Sequence, residues 1–441
     1  MRTNLEDITS VKKKLSVEIE SEEVDRKFNK AYKELGKQVK IPGFRPGKVP
    51  RKILERHIGS QVTEDVAKDL INETLPGALE EVKTFPLGVP TLEKETLKQG
   101  QDFKYSAIME VRPQFEIKNY LGLKVEKETF SVTEQDVQDQ LAQIRNAHGT
   151  LTSIDSNRPI KKNDDVVLDY QGFEKGQPLK EIHASNFLLK VGGNDFHPKF
   201  EESLIGLKKD DEAEIKVEFE VSYPHTKLAG KTVDFKIKVI DIKKMVLPEL
   251  NDEFAQNLGA DFKNLKDLNN KVRDMILAQE EKRIDSELKQ NLLKKISDSV
   301  DFELPQTLVE AEIEQVVENV KENLVRSGSN LEKTGLSEEK LQKDFRPASE
   351  KRVKNLLILG EIAKQEKLAV NEEDMNQGFK DLAASTGQDA EILRKYYQAK
   401  NLMDALEEKL LEEKTLNYLV KNAKISTIDP QSKNNSKKKG E

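Results

Sequence analysis

Ile41-Pro42-Gly43-Phe44-Arg45-Pro46-Gly47-Lys48-Val49-Pro50 separates two helical patterns near the start of the chain. Proline fixes its own φ and glycine admits positive φ, so the stretch predicts a shaped loop that holds Phe44, Arg45 and Lys48 outward. Before it, Val24, Phe28, Tyr32, Leu35 and Val39 recur at helical spacing, and after it a second helical pattern runs from about Arg51 to Leu75. Further out, residues 11–20 and 102–111 alternate in the manner of strands, the latter with Phe103, Tyr105, Ala107, Met109 and Val111 on one face. Two strands bracketing a helix–loop–helix predict an α+β module over residues 1–112, closed at Arg112-Pro113. On local physics the loop serves equally well as a helix connector or as a docking tip for an anionic surface.

The remainder divides by pattern. Residues 113–160 begin extended and turn helical, with a capping box expected at Ser131-Val132-Thr133-Glu134 and an apolar face at Val137, Leu141 and Ile144. Residues 161–245 read as antiparallel β with turns, from the alternation of Val166, Leu168 and Tyr170, of Ile215, Val217 and Phe219, and of Val233, Phe235, Ile237 and Val239. Residues 246–427 read as a multi-helix domain, with stripes at Val309, Ile313, Val316, Val320 and Leu324 and at Leu402, Leu406 and Leu410, punctuated by Gly328, Gly335, Pro347 and Gly387. The Ser/Asn/Lys-rich end, 428–441, reads as a disordered tail.

Composition narrows the chemistry. The 441 residues carry a net charge of −7, which excludes a broad basic face for general nucleic-acid binding. There is no cysteine, so thiolate chemistry and disulfides are excluded, and the five histidines show no ligand-pair spacing for a metal. His57, His148, His183 and His225 read as surface or capping residues. Val191-Gly192-Gly193 is expected to lack the following helix that a phosphate cradle needs, so neither ATP nor any other cofactor is expected. A charged fraction of 35% and a mean hydropathy of −0.69 predict an elongated protein or several small domains. No signal peptide and no run of about 18 apolar residues is seen, so a cytoplasmic protein without a membrane partner is expected.

The loop motif, with Gly43, Phe44, Arg45, Gly47, Lys48 and Pro50 in place, resembles the ribosome-docking signature of the trigger factor family; Pro46 stands where a basic residue is common. Asp164 to Gly172, Phe200 to Leu207 and Leu228-Ala229-Gly230-Lys231 resemble the FK506-binding-protein type of prolyl isomerase that this family carries mid-chain. Leu247-Pro248-Glu249-Leu250-Asn251-Asp252-Glu253-Phe254 matches the junction that follows it, so the resemblance spans roughly residues 1–427.

The resemblance implies an α+β multidomain fold: an N-terminal docking module, a central antiparallel β isomerase domain, and a discontinuous all-α chaperone domain to which residues 113–160 return. It implies an ATP-independent chaperone that meets nascent chains at the tunnel exit of the large ribosomal subunit, touching protein and rRNA there. It further implies an isomerase pocket at Tyr170, Phe196, His197, Phe200, Tyr223 and Phe235. Such a pocket needs neither nucleophile nor metal, because holding a twisted prolyl amide out of water lowers a barrier of about 18–20 kcal/mol that comes from conjugation. Leu179 stands where the family has an aromatic, His197 where it has an apolar residue, and Lys199 where it has glycine.

The alternative is a chain that is primarily a prolyl isomerase with flanks that deliver substrate. Whether an apolar residue in the helical region faces a core or a client-binding cradle, and whether free molecules form a homodimer, stays open in the sequence.

Overall fold

The hairpin of β1 (Arg2–Asp7) and β2 (Lys12–Ile19) starts a four-stranded antiparallel sheet, and β2 buries Leu15, Val17 and Ile19 on one face. The structure is a computed structural model. It describes all residues except 39–41, 43, 45–48, 155–157, 221–222, 224–226, 260–261 and 429–441. Helix α1 (Ser21–Gln38) lays Val24, Phe28 and Tyr32 on the sheet, as its stripe predicts. Helix α2 (Arg51–Glu81) continues six residues past the predicted end and through Pro76. Proline inside a helix costs about 3 kcal/mol, but Ala78 is wholly buried and Leu79 and Val82 pack on the same core. Strands β3 (Thr91–Lys94) and β4 (Phe103–Glu110) complete the order β1-β2-β4-β3. The predicted inward face of β4, Phe103, Tyr105, Ala107 and Met109, is buried.

Beyond Pro113 come β5 (Lys124–Glu128) and α3 (Glu134–Ala147). The capping box is real but two residues later than expected. Thr133 is the N-cap, its hydroxyl accepts the Asp136 amide at 3.2 Å, and Asp136 accepts the Thr133 amide at 2.8 Å. The start pattern occurs twice in overlap. Helix phase selects the second, which buries Val137 and Leu141 against Phe254, Leu268 and Val272. Glu134 instead pairs with Arg273.

The central sheet begins earlier than its pattern suggests, with edge strand β6 (Thr150–Ser153). It continues with β7 (Asp165–Glu174), β8 (Gln177–Lys190), the short helix α4 (Pro198–Leu204), β9 (Glu212–Glu218) and β10 (Thr232–Val246). The order is β6-β10-β7-β8, with β9 also pairing β10, and all pairs are antiparallel. Helix α4 departs from the all-β reading, since seven residues are too few to show a helical period. It also means that a helix does follow Val191-Gly192-Gly193.

Helices α5 (Asp252–Leu258), α6 (Leu265–Ser299), α7 (Gln306–Arg326), α8 (Leu331–Thr334), α9 (Glu338–Gln365), α10 (Glu372–Thr386), α11 (Ala390–Ala399) and α12 (Met403–Lys421) follow, and β11 (Lys424–Ile428) pairs with β5. Pro347 lies inside α9 rather than ending it. In α7 the buried stripe is Val309, Ile313 and Val317, with Val316 only half-buried.

Contacts divide the described residues into two compact units. One joins Met1–Lys127 to Asp285–Ile428; the other is Glu128–Ile284. In the first, Ile117 and Val125 share a core with Leu292, Ile358, Ile362 and Leu419, so the helical region is assembled from discontinuous chain. Glu366 fastens it by accepting the hydroxyls of Tyr120 at 2.7 Å and Tyr418 at 2.6 Å. Burial, then the bond to Glu366, pushes the Tyr120 hydroxyl up to about 12. Among the described residues no helix is long and apolar enough to cross a membrane.

Candidate functional site

Helices α1 and α2 are tied together where α2 begins. The Arg51 guanidinium lies 4.9 Å from the centre of the Tyr32 ring and bonds Glu55 at 2.8 Å and Gln99 at 2.9 Å. The helices close tightly there, since a Cβ on Gly36 would stand 3.1 Å from Leu54 Cδ1. Of the predicted docking residues, Phe44 is described and is 38% exposed, on a loop with exposed Pro42. Gly43, Arg45, Gly47 and Lys48 lie outside the described residues.

The central unit gathers all six predicted pocket residues onto one aromatic cluster. Tyr170 comes from β7 beside a register shift between Leu168 and Tyr170, where a bulge re-aims side chains. A Cβ on the nearby Gly172 would come within 2.8 Å of Ile182 Cγ2, so glycine permits the close packing of β8 here. Phe200 comes from α4. That helix is capped by His197, whose Nδ1 accepts the Lys199 amide at 3.2 Å, and carries Pro198 in its first turn. Phe235 comes from β10.

The Tyr170 ring centre lies 6.0 Å from Phe196, 6.4 Å from Phe200 and 5.9 Å from Phe235. Phe196 lies 4.9 Å from Phe200 and 5.7 Å from Phe235, in edge-on geometries that aromatic quadrupoles favour. His197 and Tyr223 meet at 6.0 Å, and the Tyr223 hydroxyl donates to the Phe196 carbonyl at 3.3 Å.

The cluster has a floor and a rim. Phe200 and Phe235 are fully buried, so they belong to the domain core as well, while Tyr170, Phe196, His197 and Tyr223 are half-buried. Two members escaped the sequence reading. Phe219 packs 4.7 Å from Tyr223 and 5.1 Å from His197, and Phe187 packs 5.5 Å from Tyr170. Phe219 continues the inward phase of Ile215 and Val217, which was the available signal. Phe187 follows a positive-φ residue, Asn186, in a strand with a register shift, which hides its phase. Leu179, in place of an aromatic, still packs against the same core.

The chemistry is apolar. Burial raises the Tyr170 hydroxyl above its ordinary range, and burial followed by the Glu201 carboxylate raises that of Tyr223. Both hydroxyls therefore stay neutral hydrogen-bond donors at neutral pH. A half-open aromatic cup of this kind can desolvate a small ring and the amide attached to it.

An antiparallel sheet with a short helix and an aromatic cup, lying in chain order between an α+β module and a run of helices, defines a multidomain protein with an FK506-binding-protein-type domain. The family model "FKBP-type peptidyl-prolyl cis-trans isomerase" matches residues 156–240. "Bacterial trigger factor protein (TF)" matches residues 1–144, and "Bacterial trigger factor protein (TF) C-terminus" matches residues 264–421. The chain belongs to the trigger factor family. A trigger factor of Geotalea uraniireducens (strain Rf4) is 36% identical over 97% of this chain and 99% of its own length. One of Syntrophotalea carbinolica is 35% identical over 99% of both. A solved structure titled for substrate recognition by the trigger factor chaperone is 21% identical, covers 96% of this chain and 99% of its own, and has a TM-score of 0.49.

Proposed function

We propose that this protein is a cytoplasmic, ATP-independent chaperone that docks on the large ribosomal subunit at the tunnel exit and shelters emerging polypeptide, with prolyl isomerase activity in its central domain. The observation that carries the reading is that Phe44, between α1 and α2, is 38% exposed in a family member whose loop keeps the docking signature. Arg45 would pair through its planar fork with a phosphate or carboxylate, and Lys48 would add a point charge. So few charges give a moderate, salt-sensitive affinity.

Residues 1–112 are assigned to docking, and 113–160 to an arm. Isomerisation is assigned to 161–245, client binding to 246–427, and 428–441 to a tail. Val325, Ile392 and Tyr396 are 69%, 64% and 54% exposed on the helical region, and dispersed apolar contacts within a charged surface suit weak, promiscuous binding. Pocket residues Tyr170, Phe196, His197 and Tyr223 would touch the prolyl ring, with Phe200 and Phe235 as the floor.

Excising the whole central sheet separates this reading from a primarily enzymatic one. Thr150 pairs with Val246, and a Cβ on Gly149 would lie 3.1 Å from Leu247 Cδ2, so the chain enters and leaves the sheet side by side. A chain lacking 150–246, closed by a short linker, is expected to keep suppressing light scattering by an unfolded client without nucleotide. Loss of protection in a folded deletion would transfer the role to the isomerase domain.

A further inference from the structure

One carboxylate in the isomerase domain is buried without a cation. Glu201 is 1% exposed, and among the described residues no lysine, arginine or histidine forms an ion pair with it. Its partners are backbone amides from the preceding loop. Oε2 accepts from Gly192 at 2.8 Å and Asn194 at 3.1 Å, and Oε1 accepts from Phe196 at 3.0 Å. Burying a charge is costly unless it is hydrogen-bonded, and three charge-assisted bonds supply that compensation.

The loop is shaped to deliver them. Gly192 has φ 88° and Asn194 φ 59°, left-handed conformations that turn successive amides toward one point. Such a concavity ordinarily receives an anion from outside. Here the anion is the protein's own, projected backward from α4. This glycine pair, though followed by a helix, therefore has no amide left over for a phosphate: Gly192 donates to Glu201, and Gly193 donates to the Lys190 carbonyl at 3.1 Å.

Phe196 is the consequence. Its N–H is held by Glu201 and its carbonyl by the Tyr223 hydroxyl, so both backbone polar groups are tied by side chains. Its ring is the hub of the cup, lying within 6.5 Å of Tyr170, Phe187, Phe200, Phe219 and Phe235. We infer that Glu201 is a positioning residue for prolyl isomerisation: its carboxylate templates the Gly192–Phe196 loop and thereby holds the Phe196 ring where the twisted amide must sit. This rests on the reading of the domain as a working isomerase. Placement matters to rate because small errors in the arrangement around a reacting group are expensive.

The test uses the full chain, a short X–Pro peptide and the variants E201Q and E202Q. Glutamine keeps the shape but turns an NH2 group toward amides that need an acceptor. Glu202 is exposed, so E202Q makes the same charge change one residue away. E201Q is expected to lower kcat about tenfold or more, with KM moving much less, and to shift the amide resonances of Gly192, Asn194 and Phe196. E202Q is expected to leave kcat and KM at wild-type values. If E201Q does not fold, E201D, which keeps the charge at shorter reach, must show the reduced kcat. An active wild type with unimpaired kcat in the folded variant would overturn the inference alone. An inactive wild type would remove the isomerase reading and this inference with it.

Discussion

Glu110, the last residue of β4, accepts the backbone amide of Thr307 at 2.7 Å and so caps helix α7 from a strand of the N-terminal sheet. The helix supplies no side-chain cap of its own, because Pro305 occupies that position. A second latch lies close in sequence, where the Ser10 hydroxyl donates to Glu303 at 2.7 Å. The contact is close enough that a Cβ on Gly88 would stand 2.8 Å from Thr307 Cγ2. Replacing Glu110 with alanine is expected to cost about 1 kcal/mol, the usual size of a lost N-terminal cap. Amide exchange in the first turn of α7 should quicken while that of the β4 interior stays unchanged. Unaltered exchange at Thr307 to Val309 would refute the capping role.

Stability at the entry to the central domain should depend on pH through Asp164. Arg158 grips its carboxylate with two bonds, at 2.6 and 2.8 Å, and the Lys161 amide adds a third at 2.8 Å. The Arg158 bond is the largest influence and holds the carboxyl below its ordinary range, against the opposing effect of burial. A depressed folded value means stability that is present above the unfolded value of about 3.9 and is lost as pH falls through the folded one. Asp164→Asn should therefore destabilise the domain by about 2 kcal/mol at neutral pH, as expected for bonds to a charged group. The gap from wild type should close in acid. Amide exchange of Val166 to Leu168, compared at matched pH, reads this directly. A gap that persisted unchanged at the lowest pH would contradict the ion-pair account.

The cup itself is best probed at its rim. Phe200→Ala would confound activity with a core loss of about 3–5 kcal/mol. Phe196 is half-exposed, so Phe196→Ala should keep the fold and lower kcat/KM for a prolyl peptide about tenfold, equivalent to 1.4 kcal/mol of transition-state binding. Wild-type kcat/KM in that variant would remove the aromatic cup from the proposed mechanism.

Much of this was legible in the sequence, and the exceptions share a cause. Strand β4 announced itself because Phe103, Tyr105, Ala107 and Met109 alternate onto one buried face, and α1 did so through Val24, Phe28, Tyr32 and Leu35, a stripe sustained over about three turns. Helix α4 is too short to have a period, and β6 is four residues whose side chains are mostly exposed, so neither carries a pattern. The α3 start was ambiguous by two residues because two capping patterns overlap, and only packing against Phe254 and Leu268 chooses between them. The second helical pattern faded at Leu75, whereas α2 runs on through Pro76 because the next turn is buried. The aromatic cup was found through family resemblance, but its dependence on Glu201 was invisible. An acidic residue on an amphipathic turn looks solvated until the amides aimed at it are seen.

The central claim is that the loop bearing Phe44 and Arg45 is the handle by which this chain is held to the ribosome. Co-sedimentation of the full chain with ribosomes, wild type against Phe44→Ala combined with Arg45→Ala, addresses it most directly. The double variant is expected to keep wild-type helical content and stay in the supernatant, while the wild type pellets in a salt-sensitive manner. Equal pelleting of the two would contradict the account.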